Sequence, residues 1–210
     1  MTDTRSEFED LFLGLYLPLM VVVSVVVWLL VLFAIVRYRA RRGHVPSAKS
    51  DAKVAESLYA LGLAAIAGVL VWQTFTHENR VDRVAATPTT RILVSAFKWQ
   101  WRFSYPGAGI PAIVGTHAHT PELVVPTGKT VRITLTSRDV IHALWIPELR
   151  FKRDAFPGRP THFDLVFDEP GRFTGRCAEF CGLDHAEMTL RVRAVPESEY
   201  RAWLASRRRQ

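Results

Sequence analysis

Three hydrophobic regimes follow one another along the chain. From Leu11 to Val36 the positions are almost uniformly apolar, with Leu19-Met20-Val21-Val22-Val23 and Val25-Val26-Val27-Trp28-Leu29-Leu30 and no charge. At 1.5 Å per residue, about 20 such residues span the hydrocarbon core of a bilayer. A cleaved leader would need a basic start and a small-residue cleavage site. This chain starts acidic instead, with Asp3, Glu7, Glu9 and Asp10 against Arg5. The pattern therefore predicts a retained membrane helix over about 11–36. A second apolar run, Ala-rich and carrying Gly62 and Gly68, extends from Leu58 to about Phe75 and ends in Trp72, Phe75 and His77. It predicts a second helix over about 56–76, with a buried soluble helix as the competing reading.

Beyond His77 the period changes. Ile92-Leu93-Val94, Leu123-Val124-Val125, Val131 to Leu135, Phe163 to Phe167 and Leu190 to Val195 are short, β-rich runs. Pro106-Gly107, Pro126-Thr127-Gly128, Pro157-Gly158 and Pro170-Gly171 punctuate them. Short strands between such turns predict an all-β sandwich or barrel. The predicted organisation is a transmembrane hairpin over 1–80, a β domain over 81–196 and a basic helix or tail over 197–210.

Charge fixes the orientation of this plan. The 210-residue chain carries a net charge of +7, and six of its first seven cations lie between Arg37 and Lys53, beside the apolar runs. Cytoplasmic loops of membrane proteins carry such an excess of Lys and Arg. The cluster thus predicts a multi-pass protein of the cell membrane, with both termini and the β domain on the extracytoplasmic side. Lipid accounts for these cations, and no nucleic-acid motif appears elsewhere. With only two cysteines, Cys177 and Cys181, the chain is not a disulfide scaffold.

Those two cysteines open the stretch richest in chemistry, Cys177-Ala178-Glu179-Phe180-Cys181-Gly182-Leu183-Asp184-His185-Ala186-Glu187-Met188. Two thiols, an imidazole and a thioether lie within it, on a loop between a strand ending near Phe173 and one beginning at Leu190. Soft thiolate and thioether donors select copper, zinc or iron–sulfur. Zinc sites are built from Cys, His and carboxylates, and iron–sulfur clusters usually take four cysteines. A Cys, His and Met set on a β-sandwich is copper-like. One copper of the blue type needs a single cysteine, whereas two thiolates with two imidazoles suit two bridged copper ions. His142, in Asp139-Val140-Ile141-His142-Ala143-Leu144-Trp145, is the second imidazole. A lone histidine among Ile141, Leu144 and Trp145 would read as a packing residue, and the cysteine loop downstream decides for a ligand.

The pattern Cys-x-Glu-x-Cys-x3-His-x2-Met, preceded by Asp-Val-x-His, resembles the CuA domain of cytochrome c oxidase subunit II, and the resemblance extends over nearly the whole chain. It implies a two-helix transmembrane hairpin followed by a cupredoxin-like Greek-key sandwich. It implies that Cys177 and Cys181 bridge two coppers, that His142 and His185 each cap one, and that Met188 and the backbone carbonyl of Glu179 complete the coordination. The Glu179 side chain would meet a magnesium ion at the boundary with subunit I. Heme would belong to the partner alone, with subunit III as a further partner. In Phe97-Lys98-Trp99-Gln100-Trp101-Arg102-Phe103-Ser104-Tyr105 the aromatics alternate as on one strand face. By the resemblance Trp99 is where a cytochrome c delivers its electron. Asp154 and Arg159, in Phe151 to Arg159, would face subunit I. Glu56, which the helix dipole alone would favour at a helix start, would lie at the mouth of a proton channel. Tyr59 and Gly62 depart from the family pattern there.

The implied function is electron transfer from cytochrome c to copper and on to heme in subunit I, for reduction of oxygen to water coupled to proton translocation. A copper subunit of a nitric oxide reductase would share the ligand motif, and a tethered copper chaperone or thiol redox protein would use the two cysteines differently. One feature departs from the family. From Glu78 onward there are 20 Lys+Arg and 14 Asp+Glu, a net of +6, and no acidic cluster is evident beside Trp99. This favours an acidic or tethered c-type donor over a freely diffusing basic cytochrome c.

Overall fold

Residues 9–39, 51–81 and 84–209 are described by the computed structural model. The chain divides into two units, one of helices, Glu9–Asn79, and one of strands, Arg80–Gln210. Arg41, Arg42 and Lys49 of the cationic cluster lie outside the described residues.

In the helical unit, a continuous helix over Glu9–Arg37 opens with a π-helical turn, Phe12–Tyr16, and continues as α1, Leu17–Arg37. The second helix, α2, spans Lys53–Val81. Both are longer than the apolar runs that predicted them, because polar end residues such as Lys53 and Glu56 extend the helix beyond its apolar stretch. Neither apolar window is buried within the protein. A helix apolar all round has two stable surroundings, a protein core or lipid, and the candidate spans Glu9–Arg37, of 29 residues, and Lys53–Asn79, of 27, both exceed the roughly 20 needed to cross. Thr74 Oγ1 donates to Leu70 O at 2.7 Å and receives the Tyr16 hydroxyl. This link lets two apolar helices recognise each other where hydrophobicity supplies no drive.

The strand unit is a two-layer sandwich. Its strands are β1 Thr90–Phe97, β2 Gln100–Ser104, β3 Ile113–Val114, β4 Glu122–Pro126, β5 Val131–Ser137, β6 His142–Ile146, β7 Phe151–Ala155, β8 Thr161–Leu165, β9 Gly171–Cys177 and β10 Thr189–Val195. One sheet has the order β3-β2-β1-β5-β8, the other β4-β10-β9-β6-β7. The pairs β1–β5 and β4–β10 are parallel. The chain crosses repeatedly between the sheets, as from β4 to β5, β5 to β6 and β8 to β9, the Greek-key mark, and the expected cupredoxin-like fold is the observed one.

In β5 the alternation is strict: Val131, Ile133 and Leu135 are buried, with Arg132, Thr134 and Thr136 between them. Phe163 of one sheet meets Phe151 of the other with ring centroids 4.8 Å apart, and Trp101 and Phe103, on β2, are fully buried in the same core. The Arg132 guanidinium pairs with Asp164, whose Oδ2 also accepts the Ala85 N–H at 2.6 Å. That ion pair fastens the start of the unit to β5 and β8. The last helix, α3 Glu197–Arg207, buries Tyr200 and sets Trp203 edge-on against Tyr105, with centroids 5.2 Å apart.

Candidate metal centre

Each donor is placed by the end of a strand. Cys177 is the last residue of β9, so that strand runs four residues past its expected end near Phe173. His142 is the first residue of β6, which pairs with β9 through Leu144 opposite Cys177. His185 opens a single 3-10 turn, His185–Glu187, and Met188 directly precedes β10.

The two thiols form the middle of the cluster, their sulfurs 3.9 Å apart. A disulfide requires about 2.05 Å, and both cysteines are free. Cys177 Sγ lies 3.7 Å from His142 Nδ1 and 3.3 Å from the Glu179 carbonyl oxygen. Cys181 Sγ lies 3.5 Å from His185 Nδ1 and 3.9 Å from Met188 Sδ. Each sulfur thus has one imidazole and one further donor beside it. His142 and Met188 are fully buried, both cysteines are 4% exposed, and His185 is half-buried. Soft sulfur with imidazole, shielded from water on a cupredoxin-like sandwich, suits copper. All six expected donors are brought together.

The acid–base character of the cluster follows from its crowding. Burial, the largest single influence, opposes ionisation of the Cys177 thiol, but its hydrogen bonds, led by that with His142, together outweigh it and bring the thiol below its ordinary value. Burial, and then repulsion by Cys177, push the Cys181 thiol up. One thiolate forms readily and the second only when a cation joins it, so metal uptake releases protons.

Trp99 is placed otherwise than the alternating pattern predicted. It lies with Lys98 in the turn between β1 and β2, outside either strand, while Trp101 and Phe103 are buried on β2. The turn frees the indole from the core face and lets it lean on the cysteine loop, where its Nε1–H donates to the Cys181 carbonyl at 3.1 Å. Gly182 makes this approach possible. Its φ is +119°, and a Cβ there would stand 3.2 Å from Trp99 Cζ2. Gly182→Ala is therefore expected to lower stability by about 1–3 kcal/mol, read as a reduced thermal midpoint of the metal-free chain. An unchanged midpoint would show that the contact is dispensable.

The sequence showed no acidic cluster near Trp99, and folding brings two acids to it. A polar cavity of about 30 Å³ is lined by Trp99, His117, Asp184 and Glu187 among others. The two acids lie in the short turn around His185, and only folding brings that turn against Trp99. Glu122 instead pairs with Arg193 at 2.9 Å.

The remaining expected residues are more peripheral. The Glu179 carboxylate lies 3.8 Å from Lys152 Nζ, which also stands 3.9 Å from Asp154 on β7. The exposed Arg159 guanidinium packs over Phe156, 4.2 Å from the ring centroid. Glu56, in the first turn of α2, accepts the Ala52 N–H at 3.2 Å and so caps its own helix. Asp139 and Gly182 carried no expected role. The Asp at three residues before a ligand histidine was the available signal for the first.

Comparison with known proteins identifies the family. The family model for the periplasmic domain of cytochrome c oxidase subunit II matches residues 115–195. A probable cytochrome c oxidase subunit 2 of Streptomyces avermitilis is 30% identical over 221 residues, covering 86% of this chain and 69% of that protein. Cytochrome c oxidase subunit 2 of Cereibacter sphaeroides is 27% identical over 229 residues, covering 93% and 74%. The crystal structure of the periplasmic domain of subunit II (CoxB) of Bradyrhizobium japonicum superposes with a TM-score of 0.55 at 30% identity, covering 60% of this chain and 98% of that one. With the helical unit included in the match, the protein is a membrane protein with an extracytoplasmic domain, and the chain belongs to the cytochrome c oxidase subunit II family, a component of an oxidoreductase complex.

Proposed function

We propose that this chain is the electron-receiving subunit of a terminal oxidase, taking electrons from a c-type cytochrome at a dinuclear copper centre and passing them to heme in subunit I. The reading is carried by the paired thiols, each with its own imidazole and one further donor. Cys177 and Cys181 would bridge the metals, His142 and His185 would each hold one through Nδ1, and Met188 and the Glu179 carbonyl would be the weak donors. Such a centre shares one electron between two metals, so bond lengths change little on transfer. Trp99 is the point of electron uptake, joined to Cys181 by its indole N–H. Asp184 and Glu187 share a small cavity with Trp99, so the net charge along the sequence does not set the local charge at the point of uptake, and a c-type cytochrome, free or tethered, fits.

Oxygen reduction and proton translocation belong to the partner subunits. Asp154 and Arg159 are assigned to the face toward subunit I, and Glu56 to the mouth of its proton channel. For magnesium, this chain offers the Glu179 carboxylate as one hard oxygen donor, and the partner would supply others. The test of the copper reading is a metal count and an electron paramagnetic resonance spectrum of the full-length chain in detergent. Two coppers per chain and a seven-line hyperfine pattern are expected. One copper with four lines would overturn the dinuclear assignment.

Topology is tested separately. A reporter fused after Lys49 is expected to be active in the cytoplasm, and one fused after Gln210 outside it. A cytoplasmic signal from the C-terminal fusion would contradict the proposed orientation.

A further inference from the structure

The turn between β5 and β6 places Asp139 where two parts of the electron path meet. Its Oδ1 accepts the His142 Nε2–H at 2.8 Å and the Val140 N–H at 2.7 Å. Its Oδ2 accepts the Lys98 N–H at 2.7 Å. The carboxylate therefore touches a proposed copper ligand on one side and the backbone next to Trp99 on the other. The turn that carries it is itself held firmly. Ser137 Oγ bonds the Val140 carbonyl and receives the Asp139 N–H at 3.2 Å, and the Arg138 N–H donates to Ala96 O at 3.0 Å. From the far side, the Trp99 indole bonds the Cys181 carbonyl. Lys98, Asp139, His142, the thiol pair, Cys181 and Trp99 thus form one closed circuit of contacts.

Resting on the copper reading above, we propose that Asp139 is the positioning residue of this site, locking His142 and the Trp99 turn into a single unit. A ligand imidazole that donates its second N–H to a carboxylate is fixed in tautomer and ring orientation and is made a stronger donor. His142 offers Nδ1 to the cluster because Nε2 is committed to Asp139. The same carboxylate sets the height of the turn from which Trp99 reaches the loop, so ligand geometry and electron uptake share one anchor. The competing role for a part-exposed acid here is to attract a cationic donor. That role needs only its charge and neither of its two hydrogen bonds.

The two roles separate in the full-length chain in detergent. Asp139→Asn keeps the size of the side chain and removes the carboxylate. It is expected to weaken copper retention against a chelator by about 10- to 100-fold, the usual effect of losing such an outer partner. Asp139→Ala is expected, in the metal-free chain, to speed hydrogen exchange at the Lys98 amide, which loses its acceptor. Copper retention within twofold of the native chain in Asp139→Asn would overturn the proposal. So would an unchanged Lys98 exchange rate in Asp139→Ala. An effect confined to salt-dependent reduction by a cytochrome would assign Asp139 to docking alone. If Asp139→Ala does not fold, Asp139→Asn still decides the matter. A native chain that binds fewer than two coppers would instead refute the copper reading, while leaving the exchange measurement at Lys98 intact.

Discussion

Cys181→Ser is expected to abolish the mixed-valence centre outright, leaving at most one copper per chain and no seven-line spectrum. Cys181 Sγ sits between Cys177 Sγ, His185 Nδ1 and Met188 Sδ, at 3.9, 3.5 and 3.9 Å, so in the proposed centre it would be the atom through which three other donors share a metal. A serine oxygen is a hard, weakly acidic donor and does not replace a soft thiolate. Met188→Leu provides the contrast. A weak axial donor tunes a copper site more than it holds the metal, so this variant should keep both coppers and shift the potential. Metal analysis and paramagnetic resonance of the two variants check the pair. A Cys181→Ser chain that retained two coppers and the mixed-valence spectrum would remove the bridging role from the thiol.

The second large effect concerns the core that holds the donors in place. Phe163→Ala is expected to cost about 3–5 kcal/mol, from lost transfer energy and the cavity left behind. Phe163 is fully buried, faces Phe151 across the two sheets, and lies on β8 beside the Arg132–Asp164 pair. The loss would appear as a lower urea midpoint with an unchanged slope. Phe180→Ala is the control: that ring is 79% exposed on the cysteine loop, and a surface change is usually within about 0.5 kcal/mol. Equal midpoints for the two variants would show that Phe163 does not join the sheets.

Much of this architecture was legible along the chain. Long uncharged runs mark membrane helices because lipid solvates only apolar side chains and satisfies no backbone group. Strands β1, β4, β5, β8 and β10 were visible as β-rich runs between turns. Strands β6 and β7 were not, and β9 was expected to end four residues early, for different reasons. His142–Ile146 is buried on both faces except at Trp145, so it shows no alternation. Phe151–Ala155 is an edge strand full of charge. Gly171–Cys177 carries two glycines, and at Gly175 a Cβ would stand 2.8 Å from Leu190. Close packing forced a residue there that, read locally, argues against a strand.

The donor types of the candidate centre were readable for the same reason that short loops are. Cys177, Glu179, Cys181, His185 and Met188 lie within twelve residues, and local spacing already limits where their side chains can go. His142 lies 35 residues from Cys177, and only the pairing of β6 with β9 makes them neighbours. Trp99, 82 residues from Cys181, was recognisable as a motif but misplaced on a strand face, because a hairpin turn interrupts an alternation that looks continuous. Asp139 and the acids around His185 stood in plain view without a role, since a carboxylate says nothing of its partner until the chain folds. Sequence alone determined composition-driven features, namely where lipid is met, which strands are apolar and which soft donors are available. Tertiary structure decided distances, burial and shared hydrogen bonds, because these depend on contacts between residues far apart in the chain, which no local pattern encodes.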